Sequence, residues 1–154
     1  MLGILTESEI AEVLQNNLVC RVGCNDGERT YVVPISYVFM GDHILCHSYE
    51  GMKIQMMRNA PDVCFEVDEI KDYSNWRCVI VWGIYEELSE EKDIAEARQY
   101  FSEEMLEMKV SETSLPPETQ QQRWHNRAPG EKVSIYYRIR FSEVRGDLRG
   151  RCKL

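Results

Sequence analysis

The chain has 154 residues, 44% of them hydrophobic and 29% charged, and a net charge of −8. That length and balance suit one soluble globular domain with a single buried core. The negative charge repels phosphate backbones and argues against general nucleic-acid binding, and no apolar run approaches the roughly 18 residues of a membrane span. The opening Met1-Leu-Gly-Ile-Leu runs straight into acidic residues, without the basic segment and long apolar run of a signal peptide, so a cytoplasmic location is expected.

Thr6-Glu-Ser-Glu9 has the form of a capping box, and Ile10, Val13 and Leu14 continue it as a short helical stripe that ends at Asn16-Asn17. A strand is expected from Leu18 to Gly23, with Asn25-Asp26-Gly27 turning the chain. The next strand, Thr30 to Met40, is apolar on both faces and reads as buried on both sides. Gly41-Asp42 leads into a strand from His43 to Ser48, and a helix follows from about Met52 to Asn59, stopped by Ala60-Pro61.

Asp62 to Asp68 alternates, with Val63, Phe65 and Val67 on one face. A polar loop is expected from Glu69 to Asn75, then a long strand from Trp76 to about Leu88. Ser89 is a good N-cap for a second clear helix, whose Ile94, Ala97, Phe101, Met105 and Met108 form an apolar face. Residues 110–132 read as an extended excursion before a last strand from Val133 to Phe141. There is no internal repeat and no sign of a second domain, so residues 1–154 are read as one. Strands joined mostly by hairpins describe a mainly β fold, an antiparallel barrel with peripheral helices.

The six cysteines, at 20, 24, 46, 64, 78 and 152, form no Cys-x-x-Cys pair and read as structural thiols of a reducing compartment. No metal site is expected, because His43, His47 and His125 have no carboxylate or thiol at ligand spacing. The late cluster Arg138, Arg140, Arg145, Arg149, Arg151 and Lys153 reads as a solvated tail rather than a local anion site. Trp124 reads as an anchor of the 110–132 segment, with Trp124-His125 stacking on a ring as its rival.

Three features fall together between Tyr31 and Lys53. Pro34 interrupts an apolar strand, and proline belongs at a sheet edge or bulge because it cannot donate to a ladder. His47-Ser48 ends the following strand with groups able to donate to phosphate or sugar oxygens. Gly51-Met52-Lys53 opens a helix, where free amides and a lysine can hold an anion. A first-turn lysine otherwise opposes the helix dipole.

The run Tyr31-Val-Val-Pro-Ile-Ser-Tyr37, then Gly41-Asp42, His47-Ser48, Gly51-x-Lys53, Asn59-Ala-Pro61 and Val63-Cys-Phe65 resembles the pyridoxamine 5′-phosphate oxidase-like flavin-binding split barrels. Within them it is most similar to the nitroimidazole-resistance branch. The resemblance covers about residues 5 to 110 and implies a six-stranded split barrel, working as a homodimer with FMN, or FAD, in clefts between subunits. It implies that Val33, Pro34, Ile35, Ser36 and Tyr37 line the flavin ring through their backbone. His47 and Ser48 would lie near the ribityl chain and phosphate, Met52 and Lys53 at the phosphate, and Trp76 at one side of the cleft.

Relatives often carry His or Arg where this chain has Met52, and Arg138-Ile-Arg-Phe141 does not reproduce the Arg-x-Trp motif of the oxidases proper. The function implied is reduction of small electrophiles, among them nitro compounds, by the bound flavin. A non-catalytic flavin carrier or sensor is the rival, and a barrel for another planar cofactor such as haem the third reading.

Overall fold

The computed structural model describes residues 2–107 and 133–150. Its elements in chain order are β1 (Leu2–Ile4), α1 (Glu7–Asn16), β2 (Val19–Asn25), β3 (Thr30–Phe39), β4 (His43–Tyr49), α2 (Met52–Asn59), β5 (Asp62–Asp72), β6 (Asn75–Glu87), α3 (Glu91–Glu107) and β7 (Ser134–Arg149). Strands β7, β4, β3, β2, β5 and β6 pair in that order, and β6 returns to β7 to close an antiparallel barrel. Strand β1 joins the same edge of β7 that β4 uses further up the chain. The expectations fixed on Trp124, His125, Met108, Arg151, Cys152, Lys153 and the 110–132 excursion lie outside the described residues.

Local chemistry explains the connections. The capping box forms as expected: Thr6 Oγ1 accepts from the Glu9 amide at 3.3 Å, and the Glu9 carboxylate accepts from the Thr6 amide at 2.8 Å. The Tyr37 hydroxyl donates to the Leu14 carbonyl at 2.8 Å, tying the helix end to the wall while Val13 and Leu14 bury in the core. In the β2–β3 hairpin the Asn25 and Asp26 side chains accept from the amides of Gly27, Glu28 and Arg29, and Gly27 takes a φ of 93°.

The pleat sorts the side chains. Cys20, Val22 and Cys24 of β2, Val63, Phe65 and Val67 of β5, and Ile135, Tyr137 and Ile139 of β7 all point into the barrel. A second, smaller core lies outside the wall, where Ala97 and Phe101 of α3 meet Val38, Leu45 and Tyr136. The five described cysteines are free thiols, and burial pushes Cys20 and Cys46 well above the ordinary thiol range.

The structure departs from the sequence expectations in five places. The supposed loop from Glu69 is strand: β5 runs to Asp72, Ile70 faces Trp76, and Arg77 bonds Glu69 at 2.6 Å across the ladder. Charged side chains on an exposed strand face read as loop when their cross-strand partners are unseen. For the same reason β7 runs past Phe141 to Arg149, so Arg145 and Arg149 are strand residues too, and Arg138, Arg140 and Arg145 pair with Glu86 and Asp147 rather than forming a solvated tail. Strand β1 is too short to signal itself and exists by pairing with β7. Ile94 donates to the Glu90 carbonyl, which puts Glu90 rather than Ser89 at the N-cap of α3. Finally, β3 is covered on both faces only near its end; Val32 is 61% exposed and Pro34 also faces outward.

The β6–β7 wall bends at a bulge between Trp82 and Gly83. A Cβ on Gly83 would stand 2.6 Å from the Arg140 carbonyl oxygen and 2.7 Å from Ile139 Cγ2. Gly83→Ala should therefore cost about 1–3 kcal/mol of stability, read as a lowered midpoint in urea denaturation; an unchanged midpoint would show that β7 yields freely there.

Candidate functional site

Strand β3 changes partners along its length. It pairs with β2 from Ser36 back to Thr30, but with β4 only at Tyr37, Val38 and Phe39, opposite Cys46, Leu45 and Ile44. The Tyr37 amide donates to Leu18 and the Met40 amide to His43. Amides alternate along a strand, so odd residues of β3 serve β2 and even residues serve β4. Continued at this register, the ladder would pass through Ser36 opposite His47, where it has already ended, and could resume only with the amide of Pro34 opposite Tyr49. Proline has none. Strand β4 instead stays with β7 through Tyr49, opposite Ser134, and the wall splits, leaving the early part of β3 with an open edge.

Helix α2 begins just past this split. No side chain caps its N-terminus and no acidic residue occupies its first turn, in contrast to the reciprocal box on α1. Gly51 is extended, with φ 174°, and an added Cβ would meet only the Tyr49 carbonyl at 3.9 Å. The protein itself therefore does not require glycine there. Lys53 is half-buried, and among the described residues it makes no ion pair or hydrogen bond. Burial lowers its pKa, while the nearby Cys46 and Cys24 thiols act weakly the other way. A cation without a carboxylate, at an uncapped helix start beside an open strand edge, is an anion-binding arrangement.

The other sequence candidates divide. Ile35 and Tyr37 send their side chains into the core, and Val33 packs against it, so these residues present only backbone to the edge. Pro34 and Ser36 face outward. Ser48 is buried and donates to the Tyr49 carbonyl at 3.2 Å. His47 points to the opposite side of β4, where Nε2 lies 3.1 Å from Ser134 Oγ and the ring lies 4.7 Å from Tyr136 and 6.3 Å from Phe101. His47 and Ser48 thus do not converge on one ligand through their side chains. Met52 is 44% exposed at the helix start.

Trp76 stands opposite Ile70 and Arg149 at the far end of β6, seven residues before Gly83, or roughly 23 Å along the strand. Within one chain it does not join Lys53. It belongs to a broad outer face of β2, β3, β5 and β6 on which Val19, Val32, Ile70 and Trp82 are 53%, 61%, 69% and 41% exposed. Arg21 sits among them, paired with Glu66 and Asp68. On this face lies a groove of about 310 Å³ near Gly23, Cys64 and Trp82. Sequence reading missed it, although Gly23 inside a strand pattern and Trp82 between inward-facing Val81 and Gly83 were its signals.

Comparison with known proteins gives a consistent picture. Residues 6–146 match the profile of the family described as Pyridoxamine 5′-phosphate oxidase. An uncharacterized protein of Rhizobium meliloti (strain 1021) is 32% identical over 85 residues, 55% of this chain; the match spans about half, 56%, of that relative's length. Among solved structures, a FAD-binding protein of Mesorhizobium loti superposes with a TM-score of 0.74 at 25% identity, covering 97% of this chain and 99% of that one. A candidate 5-nitroimidazole antibiotic resistance protein of Bacteroides thetaiotaomicron gives 0.69 at 16% identity, over 96% and 87% of the two chains. A FAD-binding protein of Mycobacterium smegmatis gives 0.65 at 20%, over 96% and 99%; these last two establish the fold.

Because Lys53 is held below its ordinary pKa by burial and has no partner among the described residues, the folded state gains nothing from its charge. Lys53→Met should leave the urea midpoint unchanged or raise it. A fall comparable to that of Arg77→Met, which loses pairs to Glu12 and Glu69, would mean that Lys53 serves the fold.

Proposed function

We propose that this chain, which belongs to the pyridoxamine 5′-phosphate oxidase family, binds a flavin and uses it to reduce small electrophilic molecules, nitroaromatics among them. The observation that carries this reading is the split of β3 from β4 before Tyr37, beside the uncapped start of α2 and Lys53, which has no partner among the described residues. The phosphate of FMN, or the matching phosphate of FAD, would lie at Lys53 and the first amides of α2, near Met52. The open backbone from Val33 to Tyr37 would border the ring. When bound, the flavin supplies the electron and hydride chemistry; the protein supplies position, a neutral wall of buried thiols and a cation for the phosphate.

The exposed outer face supports a homodimer. Its rows of Trp76 with Ile70, and of Trp82 with Cys64, Gly23 and Val32, offer flat apolar area around the Arg21 ion pairs. A second copy seated there would bring its own Trp76 toward a cleft that one chain leaves open. The lack of an Arg-x-Trp sequence in Arg138–Phe141 weighs against pyridoxamine phosphate oxidation itself.

The absorbance spectrum of the purified protein tests the cofactor: paired visible and near-ultraviolet flavin bands, in a species of twice the chain mass by light scattering, are the expected result. A colourless protein that also rejects added FMN, or a Soret band, would overturn it. Reduced nicotinamide added without oxygen should then bleach the flavin, and a nitroaromatic should restore it; a bound flavin inert to both would make the protein a carrier. Lys53→Glu should lower FMN affinity by at least tenfold with little change in thermal midpoint.

The affinity should also depend on pH with a definite sign. Bound phosphate favours charged Lys53, so FMN binding holds steady below the depressed lysine pKa and weakens as pH rises through it, with proton uptake. Titration calorimetry in buffers of different ionisation heat reads that uptake, and Lys53→Met should abolish it.

A further inference from the structure

The uncapped start of α2 has a carboxylate close at hand that it does not use. Glu50 stands one residue ahead of the Gly51 N-cap, and its amide is fixed to the Val133 carbonyl at 3.1 Å. Acidic side chains near a helix start are drawn to its free amides and positive end, and Glu7 and Glu9 occupy the first turn of α1. At α2 the Glu50 carboxylate is held elsewhere: Arg58 Nη1 donates to its Oε1 at 2.9 Å.

Arg58 belongs to the last turn of the same helix. Long helical side chains lean toward the N-terminus, so its guanidinium reaches back along α2 to meet Glu50. A second partner fixes it there. Nε and Nη2 donate to the two Glu87 oxygens at 2.7 and 2.8 Å, a bidentate fork at the end of β6. The Tyr85 hydroxyl donates to Glu87 Oε2 at 2.8 Å, and the Tyr85 amide donates to the Pro61 carbonyl, also at 2.8 Å, which joins β6 to the exit of α2.

Arg58, Glu50 and Glu87 are each about one-third exposed, at 39%, 35% and 32%, so water and salt screen these pairs and they add little to stability. What they decide is where a negative charge sits. Glu50 and Lys53 are three residues apart, within the combined reach of two long side chains. A Glu50 released from Arg58 would find a cation with no partner among the described residues and a helix start with no acid in its first turn. The protein's own carboxylate would then fill the anion site.

We infer that Arg58 is a positioning residue for anion binding: by holding Glu50, it keeps that carboxylate off Lys53 and the α2 amides and leaves them to an external phosphate. It rests on the reading under Proposed function only in taking that phosphate to be the flavin's.

Titration of the full chain, freed of bound flavin, with FMN and with riboflavin, which lacks the phosphate, tests it. Arg58→Met should weaken FMN on the order of tenfold and leave riboflavin unchanged. The milder Arg58→Gln should show the same loss for FMN alone. Arg58→Lys, which keeps a cation for Glu50, should lose little. Adding Glu50→Gln to Arg58→Met should restore the wild-type FMN affinity. A merely structural Arg58 would lower both ligands together and ignore Glu50→Gln. Unchanged FMN affinity in Arg58→Met, or a loss that persists in the double variant, would overturn the inference.

Lys53 supplies a readout that needs no flavin. Burial holds its pKa down; with its amine isotopically methylated and followed by NMR, it should titrate higher in Arg58→Met, because a carboxylate now faces it. Glu50→Gln should cancel that rise. A protein that binds no flavin yet shows the rise removes the cofactor and keeps the role of Arg58. A flavin-binding protein whose Lys53 titration is indifferent to Arg58 does the reverse.

Discussion

One strand that leaves its ladder and cannot rejoin it organises this molecule. The β3–β4 ladder runs through Phe39, Val38 and Tyr37, is not continued at Ser36, and cannot resume at the following even residue, Pro34, which has no amide to give. A ladder deprived of a donor loses its bond and leaves the facing carbonyl without a partner. The chain resolves this by letting β4 continue on β7 while β3 continues on β2. Everything that makes the barrel a binding scaffold follows from that parting: an open backbone edge, a mouth for α2 to begin beside, and room for Lys53 near the buried thiols.

The rest of the fold makes such a gap affordable. The other strand junctions are closed by pairing, by the bulge at Gly83 or by a helix, and the interior is packed with aromatic and branched side chains. Tyr37 shows how the two demands are joined. Its ring is almost wholly buried and its hydroxyl holds the end of α1, so the last paired residue before the split is also among the most firmly anchored. The strand is rigid immediately beside the place where it is unpaired, which is what a ligand-positioning edge needs.

Two helix starts in one chain show how function is separated from stability. The α1 start satisfies its own amides through Thr6 and Glu9. The α2 start satisfies none through a side chain and places a cation where the dipole already favours an anion. Such an arrangement costs stability in isolation and returns it only when a negative ligand arrives. The outer sheet face is a second surface of this kind, since Val32, Ile70 and Trp82 remain in water while their neighbours on the inner face are buried.

Much of this was legible in the residues. The capping box, the turn at Asn25–Gly27, the inward alternation of Val63, Phe65 and Val67, the apolar face of α3 and the anomaly of Pro34 are local patterns with a period or a spacing, and they determine the barrel class and the segment that holds the site. The extension of β5 and β7 was not legible, because Glu69 and Arg145 look like loop until their places in the ladder, opposite Arg77 and Ile80, are known. The separation of His47 from Ser48 onto opposite faces of β4 follows from a pleat of period two. Which edge of β3 lies open, which cation lacks a partner, and that Gly23, Asp62 and Trp82 share one groove were decided only by tertiary pairing. Register brings together residues dozens of positions apart, and no local pattern carries that information.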